Sequence, residues 1–303
     1  MTHLTEHMKQ LRIIISGGGS GGHIFPAIAI ARSLLEKNKN IKFLFVGAKN
    51  KMEMEKVPNE GFKIKGLWIS GFQRRLTIKN LLFPLKLLFS LVSSALIIKR
   101  FKPDLVIGTG GFASGPILYV ASKSNIPTLI QEQNSYPGIT NRILSKHVNL
   151  ICVAYQNMDK FFPKEKICIT GNPIRKSILE DNYSFDEAIK KFDLDPKKST
   201  VLVIGGSLGA RTINESILEG LNKIKNNDLN LIWQTGEAFS EKANKRINQI
   251  NTKGISTFSF IKEIELAYKV ADIIISRAGA IAISELCSVG KPVILVPSPN
   301  VAE

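Results

Sequence analysis

The chain has 303 residues, of which 44% are hydrophobic and 22% are charged. This length allows two α/β domains with separate cores, and the absence of low-complexity tracts or short repeats argues against a disordered or solenoid protein. Three distant cysteines without a CxxC pair indicate neither a zinc site nor a disulfide framework and fit a reducing cytosol. The N-terminus has no apolar segment typical of a secretory signal.

The formal net charge of +16 lies in the first part of the chain. The first 175 residues hold 25 Lys/Arg and 9 Asp/Glu, whereas the remaining 128 hold 16 of each. A general basic drift would spread the excess over both halves, so the asymmetry favours an anionic partner such as a membrane surface or a nucleic acid. Because the basic residues do not alternate with stacking aromatic residues, we expect no nucleic-acid partner.

The first half alternates short apolar strands with helices, which predicts βαβ units and a parallel sheet. The predicted elements are strands at Ile13–Ser16, Lys42–Val46, Pro103–Ile107 and Thr128–Gln131 and helices at Pro26–Lys37 and Gly115–Ser124.

A glycine-rich loop follows the first strand and reads GGGSGGHIFPA. Its bare backbone N–H groups and the helix that follows favour a phosphate ligand. Gly17, Gly19 and Gly22 match a dinucleotide fingerprint, but no acidic residue ends the next strand, which disfavours NAD. His23 could act as a base near this phosphate site, or it could simply brace the loop.

The most apolar stretch, Leu81–Ile98, is flanked by Lys and Arg on both sides. Its length just reaches the ~18 residues of a membrane span. However, it contains Lys86, and a cation at the centre of a span costs roughly 2.5–3.5 kcal/mol. Its apolar residues fall on two neighbouring helical stripes. The sequence therefore predicts either a helix lying in the headgroup region of a membrane or an ordinary core helix.

Polar loops follow the later strands of the first half. Asn134, in QEQNSYPGITNR, suits sugar hydroxyls, and Arg175, in GNPIR, could bind a phosphate bidentately. Each loop alone is also explained by turn chemistry. Two prolines and a glycine near Phe161–Ile178 indicate a domain join, so we predict domains at 1–172 and 173–303.

The second half begins a new α/β pattern, with strands predicted at Thr200–Ile204, Leu229–Gln234, Ile273–Ser276 and Val293–Val296. A second glycine-rich loop, GGSLGAR, follows the first of these strands and places Ser207 at its tip. Glu285, in SRAGAIAISE, could accept both hydroxyls of a ribose, or it could be a first-turn acid that favours the helix dipole. Together the halves predict two doubly wound domains that face each other across a ligand cleft.

Taken together and in their order, the motifs of this chain resemble the MurG family, from about residue 11 to the end. The motifs that carry this resemblance are GGGSGGHIFPA, GTGGFASGP, QEQNSYPGITNR, GNPIR, GGSLGAR and FIKEIELAYKVADIIISRAGAIAISEL. The resemblance implies a GT-B fold of two Rossmann-like domains. It also implies an inverting transfer of GlcNAc from UDP-GlcNAc to the muramyl 4-hydroxyl of undecaprenyl-pyrophosphoryl-MurNAc-pentapeptide, lipid I. The product is lipid II of peptidoglycan. No cofactor and no metal are expected.

The resemblance also implies roles for single residues. His23 matches the histidine proposed to deprotonate the acceptor, Asn134 would contact the GlcNAc, and Arg175 the nucleotide. The remaining residues would line the substrate sites: Ser20, Gly21 and Gly22 in the cleft, Ser207 near the diphosphate, Ile261 at the uracil through its backbone, and Ala280, Ile281, Ala282, Ile283, Ser284 and Glu285 around the ribose and phosphates.

The family's location implies a peripheral protein on the cytoplasmic face of the inner membrane, attached through a basic, apolar patch around Leu81–Ile98. Two departures stand out. Gln131 replaces a frequent family histidine, and the family's glutamine-containing motif that reads the donor sugar would begin just past Glu303, so we expect the C-terminal part to be absent. Alternatives are another GT-B lipid glycosyltransferase or a non-catalytic, membrane-recruiting subunit that binds nucleotide.

Overall fold

The computed structural model describes residues 10–71, 82–180, 183–250 and 253–298. The chain divides into two compact units, Met1–Pro173 and Ile174–Glu303. Each unit is built on a parallel sheet with its own apolar core, which confirms the predicted fold class of two doubly wound α/β domains.

The first unit contains a seven-stranded sheet in the order β3-β2-β1-β4-β5-β6-β7, and all neighbouring strands are parallel. Its strands are β1 Leu11–Ser16, β2 Ile41–Ala48, β3 Ile64–Leu67, β4 Leu105–Gly108, β5 Thr128–Glu132, β6 Leu150–Val153 and β7 Ile167–Ile169. Its helices are α1 Gly21–Lys37, α2 Glu53–Asn59, α3 Phe83–Phe101, α4 Ser114–Lys123 and α5 Ile139–Leu144.

The second unit contains a five-stranded parallel sheet in the order β10-β9-β8-β11-β12. Its strands are β8 Thr200–Ile204, β9 Asn230–Gln234, β10 Ile255–Phe258, β11 Ile273–Arg277 and β12 Val293–Val296. Its helices are α6 Lys176–Leu179, α7 Phe185–Lys191, α8 Arg211–Asn226, α9 Glu237–Ile250, α10 Ile264–Val270 and α11 Ala280–Val289.

The strand order reverses beside the two glycine-rich loops. In the first unit β1 pairs with both β2 and β4, and in the second unit β8 pairs with both β9 and β11. Ligands of open α/β sheets bind at this switch point, outside the carboxyl ends of the strands. Each glycine-rich loop therefore lies where its own unit is suited to bind a ligand.

The first helix begins earlier than the sequence predicted. The prediction of a helix from Pro26 was wrong, because α1 starts at Gly21, with Ser20 as the N-cap in an extended conformation (φ −153°). Pro26 is the sixth residue of α1, where its ring removes one N–H donor from the beginning of a long helix. His23 consequently lies inside the first helical turn.

Helix α3 is not an ordinary core helix. Both apolar stripes face outward: Leu82, Leu85, Leu88, Phe89, Val92 and Leu96 are each between 45% and 58% exposed. The side of the helix that faces the unit buries Ser90, Ser94, Ile97 and Ile98. Leu81 lies outside the described residues. In the part of the chain that the structure describes, no helix is both long and apolar enough to cross a membrane.

Candidate functional site

The first glycine-rich loop packs directly on the residue that follows β4. A Cβ atom at Gly17 would lie 1.9 Å from the Oγ1 atom of Thr109, so only glycine fits there. The Thr109 hydroxyl donates a hydrogen bond of 2.7 Å to the carbonyl oxygen of His23. The loop and the first turn of α1 are thereby attached to the end of β4.

His23 is held in one tautomer by two acceptors. Its Nδ1 atom lies 2.9 Å from the carbonyl oxygen of Thr109 and 3.2 Å from the Oε1 atom of Gln133. A carbonyl oxygen can only accept, so Nδ1 carries the proton and Nε2 carries the lone pair. The half-buried ring therefore braces the loop through one nitrogen and presents the other as a base.

Ser20, Gly21 and Gly22 form the start of α1. Ser20 is half-buried, Gly21 is buried and Gly22 is exposed. The N–H groups of a first helical turn point out of the helix and carry its positive dipole end, which suits an anion.

A buried carboxylate fixes the loop that carries Asn134. Glu132 is 1% exposed and accepts hydrogen bonds from the N–H groups of Asn134 and Gly138, each at 3.1 Å, and from the Asn141 side-chain amide at 2.9 Å. Asn134 itself is half-buried at the carboxyl edge of β5. Because the Glu132 carboxylate binds three donors of this loop, the backbone of Asn134 is held in a defined position.

Gln131 is a buried part of a side-chain network. Its amide donates to Asn172 at 3.2 Å, and the amide of Asn172 donates to the carbonyl oxygen of Gln133 at 3.1 Å. Gln133 also donates to the side-chain oxygen of Gln131 and, at 2.8 Å, to the carbonyl oxygen of Thr109. The network connects the end of β5 to the residues that hold His23.

In the second unit, Arg175 and Glu285 form a bidentate pair. The Nε and Nη2 atoms of Arg175 lie 3.2 and 3.1 Å from Oε1 of Glu285, and Nη2 lies 3.3 Å from Oε2. The Tyr268 hydroxyl donates to Oε2 at 3.4 Å. Burial raises the pKa of Glu285, and the guanidinium of Arg175 opposes this shift. Glu285 is the sixth residue of α11, so its interpretation as a first-turn acid was wrong.

The second glycine-rich loop has a conformation that requires glycine. At Gly209 φ is +79°, and a Cβ there would lie 2.1 Å from the carbonyl oxygen of Thr235. Gln234, the last residue of β9, connects this loop to Ile261. Its side-chain amide donates to the carbonyl oxygen of Gly206 at 2.9 Å, and its Oε1 atom accepts the N–H of Ile261 at 2.9 Å. Ser207, at the loop tip, is half-buried.

The first turns of α11 consist of five half-buried residues: Ala280, Ile281, Ala282, Ile283 and Ser284. The Ser284 hydroxyl donates to the carbonyl oxygen of Ala280 at 3.0 Å, so the hydroxyl bonds within its own helix. Just before α11, Arg277 donates to the carbonyl oxygen of Pro297 and to the Thr212 hydroxyl, both at 2.6 Å. Arg277 thus joins β11, β12 and α8 at the carboxyl edge of the sheet.

The predicted site residues therefore fall into two sets. The first unit brings together Ser20, Gly21, Gly22 and His23, with Asn134 on the loop after β5; the second unit places Arg175, Ser207, Ile261 and 280–285 on the loops and helix at the carboxyl edge of its sheet.

Sequence reasoning missed several supporting residues: Glu53, Thr109, Gln133, Gln234, Tyr268 and Arg277. Their side chains contact partners 17 to 110 positions away along the chain. Four of these residues, Thr109, Gln133, Gln234 and Arg277, carried a signal, since each stands at or just beyond the carboxyl end of a strand.

Two family models match the chain. The glycosyltransferase family 28 N-terminal domain matches residues 13–153, and the glycosyltransferase family 28 C-terminal domain matches residues 200–303. Among solved structures, the chain is similar to the crystal structure of Acinetobacter baumannii MurG, with 29% identity, a TM-score of 0.68, and coverage of 96% of this chain and 80% of that chain. A Staphylococcus aureus MnaA–UDP structure at 17% identity, with a TM-score of 0.65 and coverage of 95% and 79%, shares the fold.

Curated relatives include two proteins named UDP-N-acetylglucosamine--N-acetylmuramyl-(pentapeptide) pyrophosphoryl-undecaprenol N-acetylglucosamine transferase. The proteins from Christiangramia forsetii and Flavobacterium psychrophilum are each 54% identical to this chain, over 98% of its length and 80% of theirs. The matched models and these identities show that the chain belongs to glycosyltransferase family 28, in the branch of these N-acetylglucosamine transferases.

Proposed function

We propose that this chain transfers GlcNAc from UDP-GlcNAc to the muramyl 4-hydroxyl of lipid I, with inversion at the anomeric carbon, to form lipid II. Relatives at 54% identity over 98% of the chain carry the name of this reaction. The structural observation that carries the proposal is the hydrogen bond from His23 to Thr109, because it leaves the Nε2 lone pair available beside an anion-binding helix start.

The two domains have different proposed tasks. Residues 1–172 bind the acceptor, with Ser20, Gly21 and Gly22 lining its site. Residues 173–303 bind UDP-GlcNAc. The basic excess of the first 175 residues supports this division, since the acceptor is an anionic lipid diphosphate in an anionic membrane.

In the proposed reaction, Nε2 of His23 takes the proton from the acceptor hydroxyl as its oxygen attacks C1 of the GlcNAc. The new C–O bond forms on the face opposite the leaving group, and the bond from C1 to the diphosphate oxygen breaks. UDP leaves with the electron pair. Backbone N–H groups at the helix starts and the Arg175 guanidinium stabilise the developing charge, as preorganised dipoles do in other transferases.

We assign most of the donor contacts to residues of the second unit and one, through Asn134, to the first unit. The Glu285 carboxylate accepts the ribose hydroxyls, Ser207 lies at the diphosphate, and 280–284 surround the ribose and phosphates. The Ile261 N–H already donates to Gln234, so we assign the uracil contact to the Ile261 carbonyl oxygen. Asn134 contacts the GlcNAc.

We assign membrane attachment to the apolar patch, defined as Trp68, Leu82, Leu85, Leu88, Phe89, Val92 and Leu96, whose side chains are all at least 45% exposed. The Trp68 and Phe89 rings lie 5.8 Å apart, and the Lys86 ammonium lies 5.9 Å from the Trp68 ring. Lys99 and Arg100 are exposed at the end of the same helix. An apolar face bordered by cations suits a peripheral protein on the anionic, cytoplasmic face of the inner membrane.

The proposal is tested by incubating the purified protein with radiolabelled UDP-GlcNAc and either a short-chain lipid I analogue or diacylglycerol. We expect label in the lipid I analogue only. Transfer to diacylglycerol alone would identify another lipid glycosyltransferase. Binding of UDP-GlcNAc without transfer to either acceptor would identify a non-catalytic recruiting subunit.

A further inference from the structure

Glu53, the first residue of α2, lies beneath the first glycine-rich loop. Its side chain is fully buried. Its Oε2 atom accepts the N–H of Gly19 at 3.1 Å, and its Oε1 atom accepts the N–H of Ala48 at 2.9 Å. One carboxylate therefore joins the loop after β1 to the end of β2.

Two glycines provide the space for this carboxylate. A Cβ at Gly18 would lie 2.2 Å from Oε1 of Glu53, and a Cβ at Gly47 would lie 2.5 Å from its Cγ atom. Neither glycine has a left-handed φ, so the space, and not the backbone conformation, requires glycine at both positions. The GG of the loop and the VGA at the end of β2 thus accommodate the same side chain.

The burial of the Glu53 carboxylate is not explained by stabilisation of its own helix, α2. An acid in a first helical turn favours the helix dipole, but both carboxylate oxygens of Glu53 bond to residues outside α2. Glu55, in the same first turn, is largely exposed and pairs with Lys56, as an ordinary first-turn acid does. Burying a carboxylate is costly unless it accepts hydrogen bonds, and Glu53 accepts one from the glycine-rich loop and one from the end of β2.

The position of this carboxylate decides which loop donors remain for a ligand. The Gly19 N–H donates to Glu53 and is therefore not available to a ligand. An anion at the loop is left with the N–H groups that come after Gly19, at the start of α1. Thr109 holds the loop on its other side, at Gly17 and His23. The loop is therefore held by Glu53 on one side and by Thr109 on the other. Gly19, which Glu53 binds, precedes His23 by four residues.

We propose that Glu53 is a positioning residue for the transfer reaction, which fixes Gly18 and Gly19 so that the start of α1 and His23 meet the acceptor in reactive geometry. This inference rests on the proposed function. Glu53 touches neither substrate in this account; it acts through the loop.

The test compares Glu53→Gln with Glu55→Gln as a matched control on the same helix. Glutamine keeps the size but turns an N–H₂ group towards one of the two backbone donors. We expect kcat/KM for the lipid acceptor to fall at least tenfold in Glu53→Gln, while the dissociation constant of UDP-GlcNAc, whose proposed contacts lie mainly in the second unit, stays within twofold. Gly18→Ala, which displaces the carboxylate, should reproduce the loss, and Glu55→Gln should match the unmutated protein.

Hydrogen exchange of the amides of 17–22, measured without substrates, provides a readout independent of turnover. We expect at least tenfold faster exchange there in Glu53→Gln, with the strands of the first unit unchanged. If the unmutated protein transfers no GlcNAc, the proposed function fails, and this exchange still decides whether Glu53 fixes the loop. If Glu53→Gln does not fold, Glu53→Asp, which keeps the charge on a shorter side chain, carries both measurements.

Three results would overturn the inference: unchanged acceptor kinetics with unchanged exchange, a loss in proportion to the unfolded fraction alone, or failure of both variants to fold. The last would make Glu53 a stability residue.

Discussion

The Nδ1 atom of His23 lies 2.9 Å from the carbonyl oxygen of Thr109, and this contact fixes which ring nitrogen is free. The same Thr109 accepts an amide from Gln133 and donates its hydroxyl to the backbone of His23. A base must hold its lone pair in one direction while the acceptor approaches, and three contacts to one residue provide that restraint.

We expect His23→Ala to lower the turnover of GlcNAc transfer by about 10²–10⁴-fold, the usual contribution of a positioned general base. The affinity for UDP-GlcNAc should stay unchanged, since the proposed nucleotide contacts lie in the second unit. Steady-state kinetics with titration of UDP-GlcNAc measure both. His147→Ala is the control, because His147 packs on Tyr119, away from these contacts. Unchanged turnover in His23→Ala would remove His23 as the base.

The affinity for UDP-GlcNAc should depend on the protonation of Glu285. Burial raises the pKa of this carboxyl above its ordinary value of 4.5, against the opposing effect of Arg175. The ionised form accepts the ribose hydroxyls, so binding should weaken as the pH falls through the raised pKa, at a pH above 4.5. Glu285→Gln should bind more weakly, with no pH dependence in this range, whereas Glu219→Gln should titrate as the unmutated protein. Calorimetry at several pH values tests this; identical pH profiles for Glu285→Gln and the unmutated protein would contradict it.

The same shift has a consequence for stability. The folded state binds the Glu285 proton more tightly than the unfolded state does, so protonation of Glu285 stabilises the fold. This stabilisation is complete below pH 4.5 and is lost as the pH rises through the raised pKa of Glu285. We expect the Tm of the unmutated protein, relative to Glu285→Gln, to decrease across this window. A relative Tm that rises with pH would show that the Arg175 pair outweighs burial.

The apolar patch should carry membrane binding. Leu88→Glu combined with Phe89→Glu places two charges on side chains that are 58% and 56% exposed, so folding should persist while partition into anionic vesicles falls at least tenfold. Transfer to a water-soluble, short-chain acceptor should remain within twofold. Ile169→Glu, on β7 with a 58% exposed side chain, is the matched control. Vesicle sedimentation that does not distinguish the two variants would place the membrane contact elsewhere.

Two glycine-to-alanine changes in the second unit should have opposite effects on stability. Gly209→Ala forces a Cβ against the Thr235 carbonyl at a φ of +79°, which should lower the free energy of unfolding by about 1–3 kcal/mol and weaken UDP-GlcNAc binding. Gly220→Ala, within α8 and facing open space, should raise it by about 0.5–1 kcal/mol without affecting binding. Denaturant unfolding of both variants measures the difference, and equal effects would disprove the loop conformation.

Eight of the twelve strands that the structure describes, and the two glycine-rich loops, were predictable because buried parallel strands give continuous apolar runs bounded by glycine. The short strands β3, β6, β7 and β10 were not predicted. The predicted Gly115–Ser124 helix is found at Ser114–Lys123. The start of α1 was misplaced because proline usually marks the first helical position, whereas Pro26 lies further inside.

The two supports that do not stand at the end of a strand, Glu53 and Tyr268, were not predictable. Glu53 reads as a charged surface residue, and its role depends on packing against Gly18 and Gly47, which a one-dimensional pattern does not contain. For the same reason the sequence left open whether Leu81–Ile98 is a core helix, since two apolar stripes suit a buried helix and an exposed one equally.

The most direct test of the whole account is the structure of the product that the purified protein forms from UDP-GlcNAc and a short-chain lipid I analogue. Mass spectrometry and NMR of the new linkage should show one added GlcNAc, joined in the β configuration to the muramyl 4-oxygen, with one UDP released per linkage. An α linkage, attachment at another oxygen, or UDP release without a glycosylated lipid would contradict the account.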